Sequence, residues 1–376
     1  DDIFWIGAID WSLRHFHGYI TDDGSTYNAY LLMDEHPTVI DTVKVAFREE
    51  MYERICKVID PLKVEYIVMN HAECDHSGSL QYISEKLPNA MIITNAICAN
   101  HLQILYPDIP KSKYKTPTSL STGKFNLKFF PVPLLHWPDS MFTFCPEKEL
   151  LFSNDGFGQH YSSSERFFDQ CANKGQVIKL MKEYTANILG HCQKPLQNAL
   201  KSVQNLSIKT ILTGHGVSWR GEDVSIPLKF HAQFAKDEHL QDKITIVFYS
   251  FNGETKRISS HLATKCKKKI AFVDLSTTNL TKCVLEAFES KYLAFGTPVV
   301  RWQMCPQVEA AMQYMRGLNI LKGRKIVLFS QYCWVDKAVD EMQKIAVEGG
   351  GEIIGKYTCK LRSNLDEFDE AMAAIL

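Results

Sequence analysis

Short apolar runs broken by Gly, Pro and Asp turns fill the first two thirds of the chain. They fall at 30–33, 38–40, 66–69, 91–94, 127–130, 150–152 and 210–212, and their length suits strands. Stretches 46–59 and 175–188 carry helical spacing instead. The texture changes near residue 240, where Lys236-Asp237-Glu238-His239-Leu240-Gln241-Asp242-Lys243 forms a charged junction. Beyond it the pattern is regular: nearly continuous apolar strands at 244–249, 269–274, 292–295, 325–329 and 352–356 alternate with helix-like segments. Strands apolar on both faces are what a doubly wound parallel sheet requires. The pattern therefore predicts a mixed α/β domain over 1–241 and a flavodoxin-sized α/β domain over 242–376.

Length agrees, since 376 residues exceed what one core usually holds. Forty-two basic residues oppose forty-three acidic ones. A net charge of −1 argues against nucleic acid or an anionic membrane as partner. No apolar run reaches the roughly 18 residues of a membrane span, and no signal segment opens the chain. Asp1-Asp2-Ile3 lacks an initiator Met, which reads as a trimmed start. Eleven cysteines without any C-x-x-C spacing exclude a disulfide scaffold, a zinc ribbon and a cysteine-held iron–sulfur cluster. Reduced thiols in a cytoplasmic protein are expected.

Histidines and acids at strand ends carry the chemistry. Asn70-His71-Ala72-Glu73-Cys74-Asp75-His76 follows the run at 66–69 and offers ligands at alternating positions. A strand continuing through them would send His71, Glu73 and Asp75 to one face. A polar turn with surface histidines would have the same composition. Leu135-His136-Trp137-Pro138-Asp139, Ser153-Asn154-Asp155-Gly156 and Thr213-Gly214-His215-Gly216 repeat the strand, turn, ligand arrangement. Each alone is a turn former or a cap; together they predict a metal centre.

The order H-x-E-x-D-H, then His, Asp and His, resembles the metallo-β-lactamase superfamily. The strings GAIDW, FHGY, TYNAYL, LHWPDSM, SNDGFGQHY and GHGVSWR resemble flavodiiron proteins, also called A-type flavoproteins. The resemblance implies an N-terminal metallo-β-lactamase-like αββα sandwich followed by a flavodoxin-like doubly wound parallel sheet. It implies two Fe ions, one held by His71, Glu73 and His136, the other by Asp75 and His215, with Asp155 bridging. Hydrolytic relatives typically carry histidine where Glu73 stands, and a carboxylate there hardens the site toward iron over zinc. His76 is implied to stand behind the ligands. Asp41 is left between a partner of a ligand and a turn cap. His17 matches a histidine lining the substrate pocket, and Tyr184 is a candidate for the same pocket. His15, His101, His231, His239 and His261 read as surface or packing residues.

In the second domain, strand one runs into Tyr249-Ser250-Phe251-Asn252-Gly253-Glu254-Thr255, which resembles the flavodoxin phosphate loop. Hydroxyls and amides at a helix N-terminus favour a phosphate. Gly296-Thr297-Pro298-Val299-Val300 and Ser330-Gln331-Tyr332-Cys333-Trp334 follow later strands, where ligands of such sheets bind. FMN is the implied cofactor, with Tyr332 and Trp334 flanking its ring. Departures from the family pattern are Asn252 for a usual Trp, and Ser330, Gln331 and Cys333 near usual glycines. Glu254 sets a carboxylate beside the phosphate loop, where it has to face solvent or pair with Lys256 or Arg257. The lysines at 265–269 read as a solvated helix end.

The implied activity is reduction of dioxygen to water, nitric oxide to nitrous oxide, or both. A separate electron donor (a rubredoxin-like protein or a flavin reductase) is implied, because the chain has no rubredoxin motif of its own. A head-to-tail homodimer or a dimer of dimers is implied as well. The competing readings are a zinc hydrolase with an accessory flavodoxin domain and a flavin electron shuttle with a structural metal.

Overall fold

The computed structural model describes residues 2–376. The chain separates into two compact units: one runs to Tyr184 and resumes over Cys192–Lys236, the other comprises Thr185–His191 and Asp237–Leu376.

In the first unit, β1 (Ile3–Trp5), β2 (Tyr30–Leu32), β3 (Thr38–Ile40), β4 (Tyr66–Val68), β5 (Met91–Ile93) and β6 (Tyr114–Lys115) form one sheet in sequence order. β7 (Ser119–Ser121), β8 (Asn126–Pro131), β9 (Met141–Cys145), β10 (Leu150–Asn154), β11 (Thr210–Thr213) and β12 (Trp219–Arg220) form a second. The pleat explains why the sheets stack. Tyr30, Leu32, Ile40, Val68 and Ile93 turn one way, onto Leu127, Phe129, Met141, Leu150, Phe152 and Leu212 of the other sheet. Leu31, Val39, Ile67 and Ile92 turn the other way, onto Met51 and Ile55 of α1 (Arg48–Val58). A further short helix, α2 (Cys74–Ser77), follows β4, and Ile83 of α3 (Leu80–Lys86) and Leu102 of α4 (Ala96–Leu105) complete that layer. Helices α5 (Lys174–Ile188), α6 (Gln193–Val203) and α7 (Ser225–Ala235) follow β10 and β12 in the chain. Helix, sheet, sheet and helix give the αββα sandwich.

The second unit holds β13 (Gln241–Phe248), β14 (Lys269–Asp274), β15 (Ser290–Val300), β16 (Lys325–Tyr332) and β17 (Glu352–Lys360), in the order β14-β13-β15-β16-β17. Every pair along that path is parallel. Helix α8 (Glu254–Lys265) lays Ile258 and Leu262 on Ile244, Ile246 and Phe248. The order 2-1-3-4-5 reverses direction between β13 and β15, so the loops after these strands open a crevice at their carboxyl ends.

Two local expectations change. β13 begins inside the charged junction, because buried Lys243 pairs with Glu286 at 2.5 Å. β4 stops at Val68, and Asp75 stands on α2, so no continuous pleat carries His71, Glu73 and Asp75 to one face. Asp41 ends the chain's freedom there, accepting from Asn70 N at 2.7 Å and Asn70 Nδ2 at 2.9 Å, which pulls the segment out of the strand.

Candidate metal centre

All the ligand-bearing segments leave the same edge of the sandwich. His71 and Glu73 follow β4, His136 lies between β8 and β9, Asp155 follows β10 and His215 follows β11. The Leu135–His136 peptide is cis. Backbone strain gathers nearby: His17, Asp41, Leu134, Asn154 and Phe157 all have φ between 46° and 65° without being glycine. Such conformations persist only where surrounding packing over-determines them. Gly214 admits the close approach of its loop, since a Cβ there would stand 2.9 Å from His76 Cε1.

The side chains form two adjoining groups. In the first, Glu73 Oε2 lies 3.2 Å from His71 Nε2 and 3.1 Å from His136 Nε2. In the second, Asp75 Oδ2 lies 3.0 Å from His215 Nε2 and 3.4 Å from His76 Nε2. Asp155 belongs to both. Its Oδ2 faces His136 at 3.2 Å and His71 at 3.5 Å, while its Oδ1 faces His76 at 2.9 Å and His215 at 3.3 Å. The sequence-predicted metal ligands are therefore all brought together. His76 stands inside the second group and contacts the same carboxylate oxygen as His215.

These residues fit a pair of cations. Asp75 Oδ1 and Oδ2, Asp155 Oδ2 and His136 Nε2 are buried without a well-formed hydrogen bond, and such groups are costly unless something satisfies them. Carboxylates packed this tightly instead draw protons onto the histidines. Burial opposes a charged imidazole, yet Asp155 and Glu73 hold His136 up at about 9, and Asp155 and Asp75 hold His215 up at about 10. Burial likewise opposes the charge on His71, and Asp139 and Glu73 overcome it. Asp155 is kept well below the usual carboxylate range by His76, His136 and His215, against its own burial. A mixed imidazole and carboxylate set without sulfur suits iron or zinc.

Outer contacts aim the ligands. His215 Nδ1 donates to the Thr26 carbonyl at 2.7 Å, which turns Nε2 inward. Asp139 accepts from Ala72 N at 2.7 Å and lies 3.4 Å from His71 Nδ1. His17 contacts the outer oxygen of Glu73 through Nε2. Tyr184 is buried, with its ring 5.0 Å from His160 and 6.2 Å from His215.

His160, with no role expected from sequence, also stands at the centre. Its Nδ1 lies 2.7 Å from Ser25 Oγ, and its ring packs 4.8 Å from His215. Burial and the neighbouring His215 and His17 keep it neutral. Its signal was present, since SNDGFGQHY ends in this histidine and a tyrosine, but nothing in the spacing separated it from a packing residue. Asp139 was similarly visible three positions after His136 in LHWPDSM.

In the second unit, Phe251, Asn252, Pro298, Val299, Gln331, Tyr332, Cys333 and Trp334 line one hollow of about 120 Å³ at the strand ends. Phe251 and Trp334 expose 55% and 69% of their surface there, as does Trp302 in part. Gly253, at φ 81°, turns the chain into α8. Thr255 Oγ1, in the first turn, is buried and unpartnered, as a hydroxyl awaiting an anion would be. Ser250 Oγ accepts from Lys256 N at 3.3 Å. Glu254 turns away from the loop: it accepts from Arg257 at 2.7 Å and from Ser363 N at 2.8 Å, which holds its carboxyl down at about 2. The structure does not bring Gly296, Thr297, Val300 or Ser330 to the hollow. Gly296 is paired within the sheet, Thr297 Oγ1 accepts from Cys305 N at 2.9 Å, Val300 ends β15, and Ser330 Oγ donates to Asp336.

An αββα sandwich with a two-group centre at its edge, in one chain with a 2-1-3-4-5 parallel sheet, defines a metallo-β-lactamase-like metal centre joined to a flavodoxin-like unit. A family model described as the ODP family beta lactamase matches residues 26–216. The crystal structure of the flavodiiron protein from Giardia intestinalis superposes with a TM-score of 0.94 at 40% identity, covering 99% of this chain and 93% of that one. The rubredoxin oxygen:oxidoreductase of Desulfovibrio gigas superposes with a TM-score of 0.94 at 26% identity, covering 100% and 96%. A nitric oxide reductase of Moorella thermoacetica is 34% identical over 92% of this chain and 89% of its own length. The chain belongs to the flavodiiron proteins, and it is an oxidoreductase.

Proposed function

We propose that this chain reduces dioxygen to water at a diiron centre served by FMN, with nitric oxide reduction to nitrous oxide as a second activity. The observation that carries the reading is Asp155, which turns one carboxylate oxygen toward each ligand group. Under this reading His71, Glu73 and His136 hold one iron, Asp75 and His215 hold the other, and Asp155 spans them. When bound, two ferrous ions and the reduced flavin store the four electrons that dioxygen takes, with four protons, to become two waters. Nitric oxide needs less: two molecules take two electrons and two protons to give nitrous oxide and water.

The protein's own contribution is shape and protons. His17 stands on the outer oxygen of Glu73 and is a quarter exposed, so it reaches both the centre and solvent. It is placed to hand a proton inward. Neutral His160 and the buried ring of Tyr184 wall the other side and keep it dry. Tyr332 and Trp334 suit the faces of a flavin ring, with the exposed Phe251 beside them, and Thr255 Oγ1 suits its phosphate. Electrons come from a separate donor, a rubredoxin-like protein or a flavin reductase. Resemblance further supports a head-to-tail homodimer, alone or as a dimer of dimers, in which one subunit's flavin serves its partner's irons.

Elemental analysis with an absorption spectrum tests the reading. About two irons and one flavin per chain, with oxygen turnover from a reduced donor, support it. Zinc without oxidase activity overturns it in favour of a hydrolase. Turnover of oxygen and nitric oxide compared with one donor ranks the two gases.

A further inference from the structure

A cavity of about 440 Å³ opens on the first unit, and none of the proposed iron ligands lines it. Ile3, Leu150 and Leu212 make an apolar floor, and the rings of Trp5 and Phe167 make flat walls. Its size lies within the range of small-molecule sites. Two guanidinium groups overlook it, and they differ in one respect. Arg220, stacked 4.2 Å over Phe167, is already paired with Asp169 at 2.7 Å. Arg166, stacked 4.2 Å over Trp5, gives hydrogen bonds to the Ser163 and Ser164 carbonyls, and no carboxylate stands within ion-pair distance of it among the described residues. Arg54 adds a further positive charge 4.8 Å from the Trp5 ring, although Glu50 neutralises it at 2.5 Å.

Arg166 is half-buried and its neighbour Glu165 acts on it only from beyond ion-pair distance, so the guanidinium can still take a carboxylate in direct contact. We propose that this cavity binds a small organic anion with a flat apolar body, of the aromatic carboxylate class, its carboxylate on Arg166 and its ring on the apolar floor of Ile3, Leu150 and Leu212. Arginine suits that pairing because its planar fork meets a carboxylate with two parallel hydrogen bonds. The polar side of the cavity is the back of the His215 loop. Asn28, which lines it, donates through N to Gly214 O at 2.8 Å and through Nδ2 to Gly216 O at 3.0 Å. The occupant therefore lies against the scaffold of a proposed iron ligand without touching the ligand itself.

Titration of the holoprotein with 2-naphthoate, followed by calorimetry, tests the site. One saturable site per chain is expected. Uncharged 2-naphthalenemethanol should bind at least about tenfold more weakly, as should 2-naphthoate to Arg166→Gln, because each comparison removes one charge-assisted contact. Thr210→Trp, which fills the cavity from the half-buried start of β11, should abolish binding. Absence of saturable binding overturns the proposal. So does equal affinity for the alcohol, or undiminished binding by folded Arg166→Gln or Thr210→Trp. Should Arg166→Gln fail to fold, the alcohol and Thr210→Trp decide the matter.

Discussion

His76 Nε2 and Asp155 Oδ1 lie 2.9 Å apart, closer than any other histidine comes to that carboxylate. The contact gives His76 a distinct job. Under the proposed assignment, His76 steadies the Asp155 carboxylate and thereby shapes both ligand groups without itself being a ligand. His76→Ala is expected to weaken iron binding by about 10–100-fold, the usual cost of an outer partner. His71→Ala and Glu73→Ala are expected to lose iron and gas reduction outright while retaining the flavin. Metal analysis of the three variants, with the flavin absorbance as internal standard, checks the ranking. Equal losses in all three would show that His76 ligates.

Metal loading should release protons. In the absence of cations the neighbouring carboxylates hold His136 at about 9 and His215 at about 10, so both are protonated at neutral pH. An imidazole must be neutral to bind a metal. Iron therefore competes with protons, and its affinity is expected to rise with pH through the range 6–8. Calorimetric titration of ferrous iron into metal-free protein, in buffers of different ionisation enthalpy, should report about three protons released per chain, because the His71 imidazole is also raised well above its ordinary value. A heat independent of buffer would contradict this.

How much of this was legible in advance depended on whether local sequence carried the cause. The flavodoxin-like strands were readable because burial on both faces leaves near-continuous apolar runs, and 269–274 matches β14 residue for residue. β9 was not, although Met141–Cys145 is wholly buried, because prolines at 138 and 146 make its surroundings read as turns. The ligands were readable as residue types but not in their geometry. Alternation suggested a pleat, whereas the actual device is the Asp41–Asn70 clasp, formed between residues 29 positions apart. Long-range hydrogen bonds of this kind leave no local pattern. The same holds for Glu254, whose partner Ser363 is 109 positions away.

Glu254 ties the start of α8 to the far end of its unit, and that tie should be pH-dependent. Its carboxyl is held down at about 2 by Arg257 and by the Ser363 N–H and hydroxyl, from an ordinary value of 4.5. Because the folded value is the lower one, the stabilisation is complete above about 4.5 and fades as pH falls toward 2. Solvent screens the pair, so Glu254→Gln is expected to cost about 1 kcal/mol at pH 7. The difference from wild type should shrink at pH 3.5. Denaturant titrations at both pH values check the sign.

The proposed head-to-tail dimer makes the most demanding prediction. If one subunit's flavin serves its partner's irons, an isolated chain holds every group yet lacks the contact through which electrons pass. Dilution to monomers, verified by analytical ultracentrifugation, should then abolish steady-state gas reduction while iron and flavin contents stay constant. The reduced donor should still bleach the flavin in those monomers, since that step needs one subunit alone. Reconcentration should restore turnover in proportion to the dimer population, which distinguishes dissociation from damage. Mixing two inactive variants sharpens the test. One carries His71→Ala, and the other carries Thr255→Ala together with Trp334→Ala to weaken its flavin. Heterodimers of the two would join one intact centre to one intact flavin across the interface, and activity should reappear. Turnover by verified monomers, or silence in the mixed dimers while each variant keeps its remaining cofactor, would show that electrons travel within a single chain.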